Sequence, residues 1–244
     1  MSVFSDMRVL YHLAVKPVAG KDHAARMESF YGGQAGAYDD FRRRLLAGRE
    51  ELYASLPVPE GGVWVDMGGG TGSNLTALGD RLSCLAKAYV VDLSPSLLEV
   101  ARQRAIDRNW TNVEAVEADA TQFRPAEGTA DVVTFSYSLT MIPDWFAAVD
   151  NALAMLAPGG IIGVVDFFVG RNFASGGTPA HSWFTRSFWP VWFATDNVFL
   201  SSDHIPFLER RFSTTSLFTG RAKIPYLPLV RVPYYRFVGT KPAA

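Results

Sequence analysis

The stretch Val63-Trp64-Val65-Asp66-Met67-Gly68-Gly69-Gly70-Thr71-Gly72 constrains this chain more than any other. A short apolar run ends in a carboxylate, and four glycines then fall within five positions. Helix-forming apolar residues follow at Leu75, Ala77, Leu78 and Leu82. The pattern predicts a buried β-strand, a tight turn and the start of a helix. Glycine tolerates unusual backbone angles and lets a ligand reach the main chain. The open N–H groups of a helix start can take polar or anionic ligand groups. A dinucleotide-binding turn would read G-x-G-x-x-G, but the sixth position counted from Gly68 is Ser73. What stands here is Asp66-x-Gly68-x-Gly70-x-Gly72.

The same rhythm continues downstream. Ala88-Tyr89-Val90-Val91-Asp92 is a second apolar run ending in an acid, 20 residues after Gly72. A carboxylate there is placed to accept both hydroxyls of a ribose. Ser94-Pro95 reads as a helix cap with proline at the first helical position, opening a helix to about Arg108. Val113 to Ala120 alternates as a strand and brings Asp119 to its end. That acid either accepts an adenine amine or caps a turn. Ala130 to Tyr137 predicts a buried strand, Ser138 to Pro143 a loop, and Asp144 the cap of a helix carrying Trp145, Val149, Leu153 and Leu156. Ala157-Pro158-Gly159-Gly160 then turns into a strand from Ile161 to Asp166. Strand–helix alternation predicts an α/β fold, a parallel sheet with helices on both faces. Ligands of such sheets lie beyond the carboxyl ends of the strands, where Asp66, Asp92, Asp119 and Tyr137 all fall.

The flanks are less regular. Met7, Leu10, Tyr11 and Ala14 are at helical spacing, a second short helix is expected from Asp22 to Phe30, and a strong helix should reach Leu56 with Phe41, Leu45, Leu52 and Leu56 in one stripe. Arg42-Arg43-Arg44 reads as a solvated face paired with Asp39 and Asp40. Residues 170–232 read as irregular and hold Trp183, Phe184, Phe188, Trp189, Trp192 and Phe193. That cluster fits either a core over the sheet or a membrane-facing surface. Final strands near Thr214–Thr219 and Tyr234–Gly239 should close the sheet antiparallel. The expected organisation is one domain over 1–244: a helical cap (1–56), a cofactor-binding core (57–169), and a substrate- or membrane-facing segment with the last strands (170–244).

Charge is divided along the chain. Residues 61–169 carry six basic and thirteen acidic side chains, and residues 170–244 carry nine basic and three acidic. A basic, aromatic tail suits an anionic partner such as a membrane surface or phosphate; acids gathered around a cationic ligand would produce the same division. The single cysteine, Cys84, excludes an internal disulfide framework and suits a reducing compartment. Neither a signal-peptide pattern nor a bilayer-spanning apolar run is present.

Over residues 30–166 the acid-and-glycine set resembles the class I S-adenosylmethionine-dependent methyltransferases. The resemblance implies a Rossmann-like, seven-stranded, mostly parallel sheet with an N-terminal helical lid. It implies S-adenosylmethionine as donor and S-adenosylhomocysteine as product. Asp66, Gly68, Gly70 and Gly72 would surround the methionine part, Asp92 and Leu93 the ribose, and Asp119 and Ala120 the adenine, with Ser136 at the end of the fourth strand. Tyr31 and Tyr38 would lie in the lid.

The flanks carry a narrower likeness. Arg8-Val9-Leu10-Tyr11-His12-Leu13, Glu28-Ser29-Phe30-Tyr31 and Gln34-Ala35 with Tyr38-Asp39 are similar to the methyltransferase part of betaine-lipid synthases. So are Trp183-Phe184, Phe188-Trp189, Asp196-Asn197-Val198, Lys223-Ile224-Pro225-Tyr226-Leu227-Pro228 and Arg231-Val232-Pro233-Tyr234-Tyr235. Those enzymes trimethylate the amine of diacylglycerylhomoserine. The likeness implies a lipid substrate at a membrane surface, a homoserine-lipid-forming enzyme as pathway partner, and a cytoplasmic location peripheral to the inner face of the membrane. A quaternary ammonium product favours aromatic walls, which makes Tyr31, Tyr38 and Tyr137 catalytic candidates and Tyr234 and Tyr235 substrate contacts. Arg231 or Arg186 would meet the headgroup carboxylate. Phosphatidylethanolamine methylation, a soluble small-molecule N- or O-methyltransferase and a non-enzymatic cofactor-binding protein are the alternatives. A nucleic-acid acceptor is disfavoured, because Ser136-Tyr137-Ser138-Leu139 stands where an Asn/Asp-Pro-Pro-aromatic motif would be needed. No clustered metal-ligand set is evident.

Overall fold

The computed structural model describes residues 45–173, 178–194, 197–224 and 227–242. The expected N-terminal helices, the lid with Tyr31 and Tyr38, and the Arg42–Arg44 run lie outside the described residues.

Seven strands form one sheet. They are β1 (Val63–Met67), β2 (Lys87–Asp92), β3 (Val113–Glu117), β4 (Ala130–Ser136), β5 (Leu156–Phe167), β6 (Ser213–Ile224) and β7 (Leu227–Thr240). Their order is β3-β2-β1-β4-β5-β7-β6. The pairs from β3 through β5 are parallel, and β7 runs antiparallel to both β5 and β6. Strand order reverses direction at β1, so the crevice at the carboxyl ends of β1 and β4 is where a ligand belongs.

Every residue of β1 is buried, because helices cover both faces and leave no polar side to alternate with. Val63, Val65 and Met67 pack on the face covered by α3 (Trp145–Met155) and α5 (His204–Arg211). Trp64 packs on the other, with α1 (Arg49–Ser55), α2 (Pro95–Asp107), α4 (Trp183–Ala194) and a 3₁₀ stretch, Ser73–Cys84. α3 buries Trp145, Ala148, Val149, Ala152 and Met155, an apolar stripe at helical spacing. α2 starts as expected: the Leu97 N–H donates to Ser94 Oγ, with Pro95 in the first turn.

Four elements differ from expectation. The helix expected to run unbroken to Leu56 is interrupted before Arg49, where Gly48 adopts φ +81°. A Cβ on Gly48 would stand 2.5 Å from the Tyr234 ring, so the close approach of β7 requires glycine. The element after the glycine turn is a 3₁₀ stretch broken at Gly79 rather than an α-helix. β3 ends at Glu117, before Asp119. Residues 170–232, expected to be irregular, contain α4 and α5 and begin the long β6–β7 hairpin. α4 has aromatics on its buried and its outward side, so its sequence shows no polar face from which to read a period.

Candidate active site

A cavity of about 500 Å³ opens beyond the carboxyl ends of the central strands. Gly68 and Gly70 bring the turn after β1 into its wall, Asp92 and Leu93 come from the end of β2, and Asp119 and Ala120 from the segment after β3. Tyr137, Ser138, Met141, Ile142 and Asp144 supply the stretch after β4.

The turn is fixed from the main chain. The N–H groups of Gly68 and Gly69 both donate to Val91 O, at 2.8 and 3.1 Å, which ties the loop to β2. Gly68 has φ +66°, and a Cβ on it would lie 2.5 Å from Ser138 Cβ. Ser138 Oγ donates to Met67 O at 2.8 Å. The loop after β1 and the loop after β4 therefore touch across the cavity floor, and a side chain at position 68 would separate them.

Three carboxylates share the wall, and none of the described residues lining it is Lys, Arg or His. Asp92 is held at both oxygens, accepting from the Gly70 N–H at 2.9 Å and the Ser94 N–H at 3.0 Å. Asp119 accepts from the Thr121 N–H and Oγ1 at the same oxygen, Oδ1, at 2.7 and 2.8 Å. Asp144 accepts from the Ala147 N–H at 3.2 Å and so caps α3 while lining the cavity.

Tyr137 has φ +54°, uncommon for a side chain of this size and typical of residues held in place by function. Its hydroxyl donates to Ala47 O at 2.6 Å, a carbonyl next to the Gly48 break. Its ring meets Phe167 edge-on at 4.6 Å. Burial pushes the phenol well above its ordinary pKa, so it stays protonated and acts as an aromatic wall rather than a base. Beneath the loop, Asp166 accepts from Thr140 Oγ1 (2.8 Å), the Thr140 N–H (3.1 Å) and the Phe167 N–H (2.8 Å). It anchors the segment that carries Met141 and Ile142.

The expected cofactor residues divide into two groups. Gly68, Gly70, Asp92, Leu93, Asp119 and Ala120 share the wall. Asp66, Gly72 and Ser136 do not line it. Asp66 is fully buried and takes three protein donors: Tyr53 Oη at 2.5 Å, Thr134 Oγ1 at 2.9 Å and Asn74 Nδ2 at 3.0 Å. Burial raises its pKa, and these three donors oppose the rise. It braces the glycine turn from behind. Gly72 precedes the 3₁₀ stretch, and Ser136 is fully buried with its hydroxyl unpartnered among the described residues.

Of the expected catalytic residues only Tyr137 lies among the described residues. The four expected substrate contacts are not brought into this wall. Arg231 is exposed on β7, Arg186 is half-buried on α4, Tyr234 is half-buried beside Gly48, and Tyr235 is fully buried. Residues 231–235 continue a paired strand, so Tyr234 and Tyr235 go to opposite faces, with Arg231 on the face of Tyr235. Sequence reasoning missed Met141, Ile142 and the wall position of Asp144, which it read as a helix cap alone. An acid directly after the loop beyond β4 was the available signal. It also missed Tyr53, Asn74 and Asp166, whose partners are distant in the chain.

The wall suits a nucleoside with a cationic sulfur. Val91, Leu97 and Ala118 give apolar surface beside the carboxylates after β2 and β3, and the carboxylates, with no basic group among the described lining residues, favour positive charge. Residues 38–215 match the family described as a methyltransferase domain. The ubiquinone/menaquinone biosynthesis C-methyltransferase UbiE of Pseudomonas putida is 26% identical over 162 residues, which is 64% of this chain. The match spans 63% of that relative's length. Among solved structures, phosphoethanolamine N-methyltransferase 2 of Haemonchus contortus, in complex with phosphomonomethylethanolamine and S-adenosylhomocysteine, superposes with a TM-score of 0.65 at 16% identity, covering 87% of this chain and 59% of that one. N-methyltransferase NodS of Bradyrhizobium japonicum WM9, in complex with S-adenosylhomocysteine, superposes with a TM-score of 0.58 at 14% identity, covering 98% and 99%. At these identities the likeness to solved structures is one of fold.

Proposed function

The chain belongs to the methyltransferase-domain family and is an S-adenosylmethionine-dependent methyltransferase, and on that premise we propose that it methylates the amine of a lipid headgroup, converting diacylglycerylhomoserine to its trimethylated betaine. The observation that carries this reading is the wall of the cavity: three carboxylates, one buried tyrosine ring and no basic side chain among the described residues. Such a wall favours a cationic or amine acceptor over one whose reacting end is a phosphate.

Gly68 and Gly70 would hold the methionine part of the cofactor, Asp92 the ribose and Asp119 the adenine edge. S-adenosylmethionine, when bound, supplies an electrophilic methyl group on a sulfonium sulfur. The protein's own work is alignment, exclusion of water and removal of a proton from the acceptor amine, which must be neutral to attack. Asp144 is the proposed proton acceptor, because it lines the cavity beside Met141 and Ile142 and keeps its position through the α3 cap. The Tyr137 ring stabilises a developing quaternary ammonium by about 0.5–2 kcal/mol. Arg186 and Arg231 remain the proposed partners of the headgroup carboxylate, and Tyr31 and Tyr38 the proposed lid.

The UbiE match favours a second reading, C-methylation in ubiquinone or menaquinone biosynthesis, in which a wall carboxylate would take a proton from carbon. Lipid mass spectrometry separates the two. The chain is expressed in a host lacking betaine lipids, with and without the homoserine-lipid-forming enzyme. Mono-, di- and trimethylated homoserine lipid only in the co-expression is the expected result. Unmethylated homoserine lipid beside folded, cofactor-binding protein overturns the reading. Methylated phosphatidylethanolamine without the partner enzyme keeps the lipid class and changes the headgroup.

A further inference from the structure

Asn151 breaks the apolar pattern of α3. The helix buries Trp145, Ala148, Val149, Ala152 and Met155, and Asn151 is buried among them. Asparagine is a poor helix former, and a buried amide costs free energy unless its hydrogens are donated. Both are donated here: Asn151 Nδ2 bonds to Ala120 O at 2.8 Å and to Phe123 O at 3.1 Å. Two carbonyls face the side chain, so the nitrogen of the amide, and not its oxygen, must point at them.

The segment that Asn151 holds is a self-closed turn. The N–H groups of Gln122 and Phe123 both donate to Asp119 O at 2.9 Å, and Thr121 satisfies Asp119 Oδ1. At its start the Ala118 N–H donates to Asp92 O at 3.1 Å, which ties the segment to the end of β2. Its carbonyls must find donors elsewhere. Phe123 O has a second donor in Arg124 Nη1 at 2.9 Å, whereas Ala120 O accepts from Asn151 alone among the described residues. The same segment gives Ala118, Asp119, Ala120 and Thr121 to the cavity wall. Asp119 Oδ2 takes no protein donor among the described residues, so this oxygen is available to a ligand.

α3 reaches the same cavity. Asp144 and Ala147 line it, and they precede Asn151 at helical spacing, so one face of the helix carries two wall residues and then the amide that grips the Asp119–Ala120 edge. We infer that Asn151 is a positioning residue for cofactor recognition: its clamp on Ala120 and Phe123 sets where Asp119 Oδ2 stands, and so whether that oxygen meets the exocyclic amine of an adenine. The inference rests on the reading that Asp119 borders the adenine, and adds what holds it there. An adenine amine donates to a carboxylate, whereas the carbonyl of hypoxanthine at the same ring position presents a second acceptor. A well-placed Asp119 therefore rejects hypoxanthine, and a displaced one does not.

Calorimetry on the full chain with S-adenosylhomocysteine and with S-inosylhomocysteine, in which hypoxanthine replaces adenine, tests it. The wild type should bind the adenine ligand roughly tenfold or more tightly than the hypoxanthine one. Asn151→Leu fills a similar space without donors. It should weaken S-adenosylhomocysteine binding roughly tenfold and S-inosylhomocysteine binding less than about threefold, so that the preference disappears. Asn151→Gln keeps both donors on a longer arm; it should unfold at a temperature close to that of the wild type and lose about threefold of the preference. Both ligands are titrated into one preparation, so misfolded protein lowers the stoichiometry for both and leaves the ratio of affinities unchanged. A wild-type preference retained in both variants overturns the inference. So does an equal weakening of both ligands, because Asn151 would then only brace α3. Tight binding of both ligands to the wild type without any preference overturns the adenine reading of Asp119, and the inference with it.

Discussion

Asp166 and His204 give the fold two buried titrating groups with opposite pH signatures, and Asp166→Asn should separate them. Asp166 is fully buried, and that burial raises its pKa from 3.8 to about 7 against the three donors it accepts. Between these values the folded protein keeps a proton that the unfolded chain has released, so the stability from that proton is present at low pH and is lost as pH rises toward 7. His204 is also fully buried, both ring nitrogens lack a hydrogen-bond partner among the described residues, and its pKa falls from 6.5 to about 3. It is packed among Trp145 and Tyr235, neither charged at these pH values, and the nearby Asp203 charge only partly opposes the shift. Below 6.5 the unfolded chain binds a proton that the folded one refuses, so stability from this group rises with pH up to 6.5. Each term has a slope of about 1.4 kcal/mol per pH unit. Between pH 5 and 6.5 the two cancel, and their joint contribution to the wild type is flat.

Asp166→Asn removes the falling term alone. The Asn carbonyl can still accept from Thr140 Oγ1 and Phe167, while its amide meets the Thr140 N–H. That donor-to-donor contact costs on the order of 1–3 kcal/mol, but it does not depend on pH. The variant should therefore start less stable and regain about 2 kcal/mol relative to wild type between pH 5.0 and 6.5. Urea unfolding by tryptophan fluorescence at half-unit steps measures this, and groups common to both proteins subtract out. Parallel stability curves would refute the reasoning.

Asp144→Asn keeps an oxygen for the α3 cap, so S-adenosylhomocysteine affinity should hold within about twofold while turnover falls by roughly 100-fold, as for loss of a general base; a stopped-point radiometric assay checks both halves. Asp92→Ala removes the acceptor of the Gly70 and Ser94 N–H groups together with the proposed ribose contact, and should weaken S-adenosylhomocysteine binding roughly 10- to 100-fold by calorimetry. Gly68→Ala forces a Cβ toward Ser138 at a backbone angle that alanine rarely adopts; thermal unfolding should shift down by several degrees, about 1–3 kcal/mol, with cofactor binding lost.

The parallel half of the sheet was legible because β1, β2, β4 and β5 are apolar, largely buried runs separated by helical stretches, and β3 stands between two of these helical and turn segments. Asp92 could be placed because a strand end is a fixed point relative to the ligand crevice, and Asp119, two residues beyond the end of β3, still reaches the cavity wall. Asp66 carried an identical signal yet braces the turn from behind, since nothing local reveals that Tyr53, Asn74 and Thr134 converge on it. α4 was illegible for the opposite reason, two apolar faces instead of one. Tyr234 and Tyr235 take opposite faces of a paired strand, a separation that shows only once the β6–β7 hairpin is known. The Tyr137 hydroxyl found its partner only through Gly48, a break invisible in an otherwise helical pattern.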